Sequence, residues 1–206
     1  MLGRSQISLA TEPAAERDLV ARCRAGDPRA LDRFFRTHVA RVELVIARLV
    51  GPTPDLEDLV QTTFVQAMGA FPRFRGEASV ATWVTKIAVR VALHQLRRGV
   101  RRLLPLDEVP GAIEPRDPAP SADRLVHEHE VAVRLHAALD QIKPKKRVAL
   151  LLYTVDGYSI DEVAALTGAS RAATKSRIWF ARNELLSLVG GDAVLRELAG
   201  RGQEGT

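Results

Sequence analysis

Four basic side chains and no acidic one lie between Arg171 and Arg182, near the carboxyl end of the sequence. Three of them, Arg171, Lys175 and Arg182, together with Trp179 somewhat to one side, follow one another at spacings of three and four, which places them on one face of a helix. The candidate contact residues of this run are Arg171, Thr174, Lys175, Ser176, Trp179 and Arg182. Arginine and lysine bind phosphates and guanine edges, and serine and threonine bind either phosphate or base. The pattern favours contact with duplex DNA; the alternative is an ordinary helical hairpin with a solvated basic side.

The residues before this run predict the element that positions it. Ser159 caps a short helix, which Gly168 ends in a tight turn, where glycine favours a left-handed backbone. Ser170 then caps a second helix over 171–189. The residues expected on its core-facing side are Ile178, Leu185 and Leu188. Two short helices joined by about four residues with glycine, the second helix basic, are typical of a helix-turn-helix.

A second group of basic residues, mixed with aromatic ones, extends from Phe71 to Arg102 and contains eight basic residues and one acid. The candidate contact residues are Arg73, Arg75, Trp83, Lys86, Arg90 and Arg97. This mixture suits single-stranded nucleic acid, because bases stack on aromatic rings while arginine and lysine hold the backbone. The alternative is that the rings belong to a core. We expect that for Phe71 and Phe74, whereas Trp83 is the better candidate for exposure.

A helix of the opposite sign precedes this segment. Residues 52–71 contain Asp55, Glu57 and Asp58 and no basic residue. The apolar residues expected to face its core are Leu56, Leu59, Val60, Phe64 and Ala67. On residue types alone, the acids are expected to form a solvated helix face.

The composition is that of a globular protein. The 206 residues are 46% apolar and 27% charged, and a net charge of +5 is compatible with a polyanionic partner. The one cysteine, Cys23, excludes an internal disulfide and suits a reducing compartment. The sequence has neither an export signal nor an apolar run of about 20 residues, so we expect a cytoplasmic protein without membrane insertion.

Enzymatic chemistry is not indicated, because the sequence lacks a Ser-His-Asp set, paired carboxylates and a phosphate-binding glycine loop. No catalytic residue, cofactor or metal site is therefore predicted. The histidine-rich group considered for a metal is His127, His129, Glu130 and His136. A metal site there is disfavoured, because His127 and His129 do not share a helix face.

Two further features have competing interpretations. Arg22 and Arg24 flank Cys23 and would lower its pKa, as in a redox sensor, but a buried or inert thiol is preferred. The basic run 143–147 (KPKKR) stands at a helix start, where we expect it to touch DNA phosphate or solvent.

Helical periodicity dominates the chain, and no convincing strand alternation is present. Predicted helices span residues 14–25, 28–50, 55–70, 79–98, 123–139, 144–155, 159–166, 171–189 and 192–199. Five prolines in the 20 residues 103–122 indicate an extended tether. The predicted fold class is all-α, with two small helical domains joined by a flexible Pro-rich linker. The predicted boundaries are 12–100 and 123–190 for the domains, 101–122 for the linker and 191–206 for a tail.

Three segments of the sequence resemble one known family. They are DLEDLVQTTFVQAM at 55–68, FPRFRGEASVATWVTKIAVRVALHQLRR at 71–98 and GYSIDEVAALTGASRAATKSRIWFARNEL at 157–185. In this order, with a Pro-rich gap before the third, they are similar to the extracytoplasmic-function (group IV) sigma factors of bacterial RNA polymerase. These small sigma factors carry only the second and fourth sigma regions. The resemblance covers residues 15–98 and 125–189.

The resemblance implies a protein that binds core RNA polymerase and directs promoter-specific initiation. Its helix-turn-helix would read the upstream promoter hexamer, and its N-terminal domain would melt and capture the downstream one, with a base flipped into a pocket. The acidic helix would dock on the clamp helices of the largest polymerase subunit. The docking residues implied are Asp55, Asp58, Leu59 and Gln61. An anti-sigma partner and a monomeric free state are also expected.

The sequence departs from the family pattern in its promoter-reading segments. The family pattern WLYRIARN is WVTKIAVR at 83–90, and GTVKSR is AATKSR, which places Ala173 and Thr174 where threonine and valine are expected. His94 replaces an aspartate and Phe180 an arginine. Two alternatives stay open: a stand-alone helix-turn-helix regulator, and a degenerate sigma-like protein that docks on polymerase or another regulator without reading promoters.

Overall fold

A computed structural model describes residues 14–99 and 122–190, and all regular elements in these two ranges are helical. The α-helices are α1 (Ala14–Arg24), α2 (Pro28–Val50), α3 (Leu56–Ala70), α4 (Val80–Arg98), α5 (Ala122–Asp140), α6 (Pro144–Thr154), α7 (Ile160–Thr167) and α8 (Arg171–Leu188), with a 3-10 turn at Phe71–Arg73. The all-helical prediction is confirmed for this part of the chain. The predicted helix 192–199, the tail and all of the linker except Ala122 lie outside the described residues.

Local sequence signals set where several helices begin. The Asp27 carboxylate accepts hydrogen bonds from the backbone N–H groups of Arg29 and Ala30, at 2.9 and 3.4 Å, and so caps α2. Ser79 caps α4 in the same way, its Oγ accepting from the Thr82 N–H at 3.2 Å. These caps satisfy N–H groups that have no partner within their own helix.

Helices α1 to α4 form the first helical group, with α2 packed against α1, α3 and α4. Its core centres on Phe34 of α2, which is fully buried. The Phe34 ring lies edge-on to Phe64 and Phe71, with ring centroids 5.5 and 4.9 Å apart. Aromatic pairs in this geometry add to the stabilisation that comes from burial alone. In the second group, α6 packs against α7 and α8.

The two helical groups also pack against each other, through α4 with α6 and α7 and through α2 with α6. Their buried apolar residues form one continuous core cluster. An ion pair crosses the boundary, in which Arg48 of α2 donates to Asp156 beyond α6. The Asp156 side chain is 6% exposed, and burial raises its pKa although the Arg48 charge acts against that. In the described residues the two domains are therefore in contact with each other.

Arg147 of α6 lies within this boundary and is 1% exposed. One guanidinium nitrogen, Nη2, donates to the Val50 carbonyl oxygen at 3.0 Å, and Nη1 donates to Asp140. Burial lowers the pKa of Arg147 to about 10. The expectation that the run 143–147 faces phosphate or solvent is therefore wrong for Arg147, because acceptors from α2 and α5 enclose its charge. Lys143 and Lys145 of the same run are exposed.

No helix in the two described ranges is long and apolar enough to cross a membrane.

Candidate nucleic-acid interface

Helices α7 and α8 form a helix-turn-helix in which side chains cap both helix starts and a glycine ends α7. At the start of α7, Ser159 Oγ accepts from the Glu162 N–H at 3.3 Å, while the Glu162 carboxylate accepts from the Ser159 N–H at 2.8 Å. Gly168 ends α7 with a φ of 64°, in the left-handed region that glycine adopts readily. Ser170 Oγ accepts from the Ala173 N–H at 3.2 Å and starts α8. The local structure predicted from Ser159, Gly168 and Ser170 is present.

Five of the six residues predicted on α8 are accessible. Arg171, Lys175, Ser176 and Trp179 are exposed, and Arg182 is half-buried. Arg171 lies 3.3 Å from the Asp161 carboxylate of α7, an exposed ion pair of the kind that stabilises little and leaves the guanidinium accessible. The exposed surface of α8 thus carries positive charge, a hydroxyl and an indole ring within three turns of its start.

Thr174 is fully buried, which contradicts its predicted role as a DNA contact. Its Oγ1 donates to the Ser170 carbonyl oxygen at 3.0 Å, so the hydroxyl is satisfied within the helix. The physical reason is visible in the family pattern, which has valine at this position. Threonine has nearly the same shape as valine, and it fills the same core position once its hydroxyl has a partner.

The core-facing side of α8 also differs in part from the expectation. Leu185 is buried and Ile178 packs partly buried against the core, as expected. Leu188 is 42% exposed, so its predicted core position is wrong. Thr174, Ala181 and Leu185 form the buried stripe of α8. Leu188 follows Ala181 by seven residues and so lies on the same side, but it is the last residue of α8, and the buried side chain at this end is Val189.

Arg73, Trp83 and Arg90 come together around a surface cavity between α3 and α4. The cavity has a volume of about 270 Å³. Its lining residues are Gln66, Gly69, Ala70, Arg73, Trp83, Ile87 and Arg90. Two guanidinium groups and an indole beside a concave surface are suited to a nucleotide base and its phosphates.

Trp83 is half-buried, so the expectation that it is the exposed ring of this segment is only partly met. Its ring centroid lies 5.0 Å from that of Phe71 and 4.8 Å from that of Phe74. Phe71 and Phe74 are buried, as predicted. The indole therefore closes an aromatic cluster on one side and forms the cavity wall on the other.

The other predicted residues of this segment are exposed. Along α4, Lys86, Arg90 and Arg97 follow Trp83 by three, seven and fourteen residues, so all four side chains lie on the same side of the helix. Arg75 stands in the loop before α4, 3.9 Å from the Glu77 carboxylate, and both side chains are exposed. Along α4, a row of positive charge thus leads away from the cavity.

The exposed face of α3 differs from the one that the resemblance implies. Asp58 and Gln61 are exposed, but Leu59 is 8% exposed and lies in the core, which contradicts its role as an accessible docking residue. Asp55 is half-buried, and its carboxylate accepts from Gln95 Nε2 at 2.9 Å. Val65, which sequence reasoning missed, is 65% exposed. Its spacing of seven from Asp58 is the signal that places it on the same face.

Cys23 is buried, and burial raises the pKa of its thiol. The charge of Arg22 acts to lower this pKa, but burial and the Asp27 carboxylate, which pairs with Arg22 at 2.8 Å, outweigh it. Arg24 donates to the Phe74 carbonyl oxygen. The preferred interpretation of a buried thiol is confirmed. His127 and His129 lie outside the residues whose side chains are described. Elsewhere in the described ranges, no group of three His, Cys, Asp or Glu side chains is placed to hold a metal ion.

Comparison with known proteins decides the family. Residues 34–102 match sigma-70 region 2, and residues 132–185 match sigma-70 region 4. The ECF RNA polymerase sigma factor SigM of Mycobacterium tuberculosis is 32% identical over 178 residues, which cover 85% of each chain. The chain belongs to the ECF family of RNA polymerase sigma factors. Arg73, Trp83 and Arg90 thus lie within its region 2, and α8 lies almost wholly within its region 4.

Solved structures share the same fold. The structure of CnrH in complex with the cytosolic domain of CnrY has a TM-score of 0.61 and 26% identity, and it covers 87% of this chain and 99% of CnrH. The sigma factor RpoE from Bartonella quintana, in complex with the anti-sigma factor NepR, has a TM-score of 0.54. At 22% identity, over 78% of this chain and 97% of RpoE, this second match shows the fold alone.

Proposed function

We propose that this ECF sigma factor binds core RNA polymerase and directs promoter-specific initiation in the cytoplasm, without catalytic chemistry of its own. The observation that carries the proposal is the exposed basic and aromatic face of α8. It stands on a helix-turn-helix within the region 4 match, in which serine side chains cap the start of both helices and glycine ends the first. The second helix of a helix-turn-helix enters the major groove with its N-terminal residues on the base edges. Arg171, Lys175 and Ser176 are in that position for the upstream promoter element.

The downstream element is bound, in this proposal, as an unpaired strand along α4. One base enters the cavity beside Trp83 and is held between Arg73 and Arg90. Lys86 and Arg97 hold phosphates along the same helix face. The cavity volume and its two arginines support this arrangement, because a flipped base needs a concave site with polar groups at its rim.

The polymerase surface is the exposed side of α3, formed by Asp58, Gln61 and Val65. Acids beside an exposed valine suit a partner that offers basic and apolar side chains, such as the clamp helices of the largest polymerase subunit. Leu59 acts from the core by holding α3 in place. The Asp55 carboxylate positions the start of α3 through its hydrogen bond with Gln95.

An anti-sigma factor is the expected regulator, and the free chain is expected to be a monomer. Two solved relatives were captured with a protein partner: CnrH with the cytosolic domain of CnrY, and RpoE with the anti-sigma factor NepR. An equivalent partner for this chain would cover the polymerase and DNA surfaces described above.

The test combines the full chain with core RNA polymerase and measures both binding and initiation on a library of random promoters. The expected result is stable binding to the core enzyme and transcripts that start from a limited set of sequences. The charge reversal Asp58→Lys should weaken core binding by at least about tenfold. The matched control is Asp18→Lys on α1, where the aspartate is 70% exposed.

Failure to bind core polymerase would overturn the proposal. Tight, specific duplex binding by the chain alone, together with that failure, would identify a stand-alone regulator. Core binding without sequence-selective initiation would identify a degenerate sigma-like protein.

A further inference from the structure

Trp179 and Phe180 form an exposed aromatic pair on the outward side of the recognition helix. They are 62% and 49% exposed, and their ring centroids lie 4.9 Å apart in an edge-to-face arrangement. Two adjacent large rings in contact with water forgo the stabilisation that burial would give them. A surface that is otherwise basic and polar thus carries a small apolar patch.

The patch packs against a charged side chain of α6. Lys146 Nζ of α6 lies 5.3 Å from the centre of the Phe180 ring, a cation–π contact. The same ammonium group bonds to the Glu184 carboxylate one turn further along α8. Phe180 is therefore held between Lys146 and Trp179, and the remaining ring surface faces outward.

The position of the patch on α8 identifies what it can meet. Trp179 follows Lys175 and Ser176 by four and three residues, so the three exposed side chains share one side of the helix. When the start of α8 lies in the major groove, the rings lie one turn further along the same groove. The apolar group on the major-groove edge of a base pair is the C5-methyl group of thymine.

We propose that Trp179 and Phe180 together read thymine methyl groups in the upstream promoter element, which makes them specificity-determining residues. The inference rests on the proposed function of α8 as the upstream-reading helix. Lys175 and Ser176 then supply polar contacts, and the aromatic pair adds a preference for thymine at positions next to them. Phe180 gives this chain an apolar contact at a position where the family pattern has a charge.

The test uses the holoenzyme formed from the full chain and core polymerase, with a promoter selected from the random library. Each thymine of its upstream element is replaced in turn by deoxyuridine, which removes the methyl group and leaves the base pair unchanged. At one or two positions this replacement should weaken binding about threefold to fivefold. In Trp179→Ala and Phe180→Ala, the thymine and deoxyuridine promoters should bind equally. Leu188→Ala, an exposed apolar residue at the end of the same helix, is the matched control and should keep the wild-type difference.

Equal binding of thymine and deoxyuridine promoters by the wild-type holoenzyme would overturn this inference and leave the proposed function intact. The inference would also be overturned, with the proposed function intact, if Trp179→Ala and Phe180→Ala kept the full difference between thymine and deoxyuridine promoters. A loss of core polymerase binding in these variants would overturn it too, because the patch would then contact protein and not DNA. Failure of the library to yield any preferred upstream sequence would overturn both the inference and the proposed function of α8.

Discussion

The two tryptophans of this protein lie in similar sequence surroundings but differ in burial and in the residues they contact. Trp83 and Trp179 both lie on helices that are rich in basic residues, each with a lysine three or four positions away. Trp83 packs against Phe71 and Phe74 and is half-buried. Trp179 contacts its chain neighbour Phe180 and is 62% exposed. Basic residues around an aromatic ring therefore indicate a nucleic-acid surface. They do not show whether the ring packs beneath that surface or is exposed on it.

The difference comes from which other elements pack against each ring. The 3-10 turn at Phe71–Arg73 and the loop after it carry Phe71 and Phe74 onto Trp83, and Phe34 of α2 lies beneath them. Trp179 is on the side of α8 opposite to its buried stripe of Thr174, Ala181 and Leu185. In region 2 the aromatic residues pack together and Trp83 lines the cavity, whereas in region 4 the aromatic pair faces outward.

The largest expected effect separates these two roles. Trp83→Ala should lower the free energy of unfolding by about 3 kcal/mol, because it removes a ring packed in an aromatic cluster. Trp179→Ala should change it by less than about 0.5 kcal/mol, because the ring is mostly exposed. Urea unfolding of the full chain followed by circular dichroism measures both. Equal losses of stability for the two variants would show that the two rings do not differ in their structural roles.

The same contrast between support and contact holds within α3. Leu59→Ala should cost about 2–3 kcal/mol of stability, since it leaves a cavity in the core. Val65→Ser should leave stability within about 0.5 kcal/mol of wild type and weaken polymerase binding. Thermal unfolding and core-binding titrations distinguish the two. A folded Leu59→Ala protein with wild-type stability would show that the core assignment of Leu59 is wrong.

On α8, Lys175→Ala distinguishes a base contact from a phosphate contact on the exposed face. Binding to the upstream element should weaken by about 1–3 kcal/mol if Lys175 contacts a base, with relaxed selectivity at that position. If it contacts phosphate, all sequences should weaken alike and the salt dependence should fall by about one phosphate contact. Titrations of the holoenzyme at several salt concentrations separate these outcomes, with the exposed Arg33→Ala on α2 as the control. Unchanged affinity and salt dependence would remove Lys175 from the interface.

The smallest expected effect is a pH dependence of stability, which arises from His38 in the aromatic cluster of region 2. His38 packs against Phe34 with ring centroids 5.2 Å apart, and burial, assisted by the Arg41 charge, lowers its pKa to about 4. The unfolded chain binds a proton at His38 near its ordinary pKa of about 6.5, whereas the folded chain does not until about pH 4. Stability should therefore fall as the pH drops from about 6.5 to 4, by about 1 kcal/mol between pH 7 and 5.5.

Urea unfolding at both pH values measures this loss, and His38→Phe should reduce it. An equal loss in the variant would assign the pH dependence to other groups.

Much of the fold follows from local sequence signals. Helix starts at Asp27, Ser79, Ser159 and Ser170 are fixed by side-chain caps within three residues, so each is visible in a short stretch of sequence. The exposed positions of α8 follow from helical periodicity for the same reason. Thr174 and Leu188 were the exceptions, because whether a side chain on a helix faces water or core depends on what packs against that helix at that position.

The contact between the domains could not be predicted, because it depends on groups that are far apart in the chain. Arg147 sits in a run of basic residues that looks solvated, yet the Val50 carbonyl oxygen, 97 residues away in sequence, is one of its acceptors. The cavity beside Trp83 has the same origin, since its walls come from α3, α4 and the turn between them. Periodicity assigns residues to helix faces, but it does not say which helices meet.

The most direct test of the account asks whether regions 2 and 4 read separate promoter elements. Holoenzymes carrying wild-type protein, Lys175→Ala or Arg90→Ala initiate on the random promoter library, and the sequences of the active promoters are compared. We expect two separated sequence blocks for the wild type, with only the upstream block weakened in Lys175→Ala and only the downstream block weakened in Arg90→Ala. Loss of both blocks together in either variant, or two blocks unaffected by both variants, would contradict it.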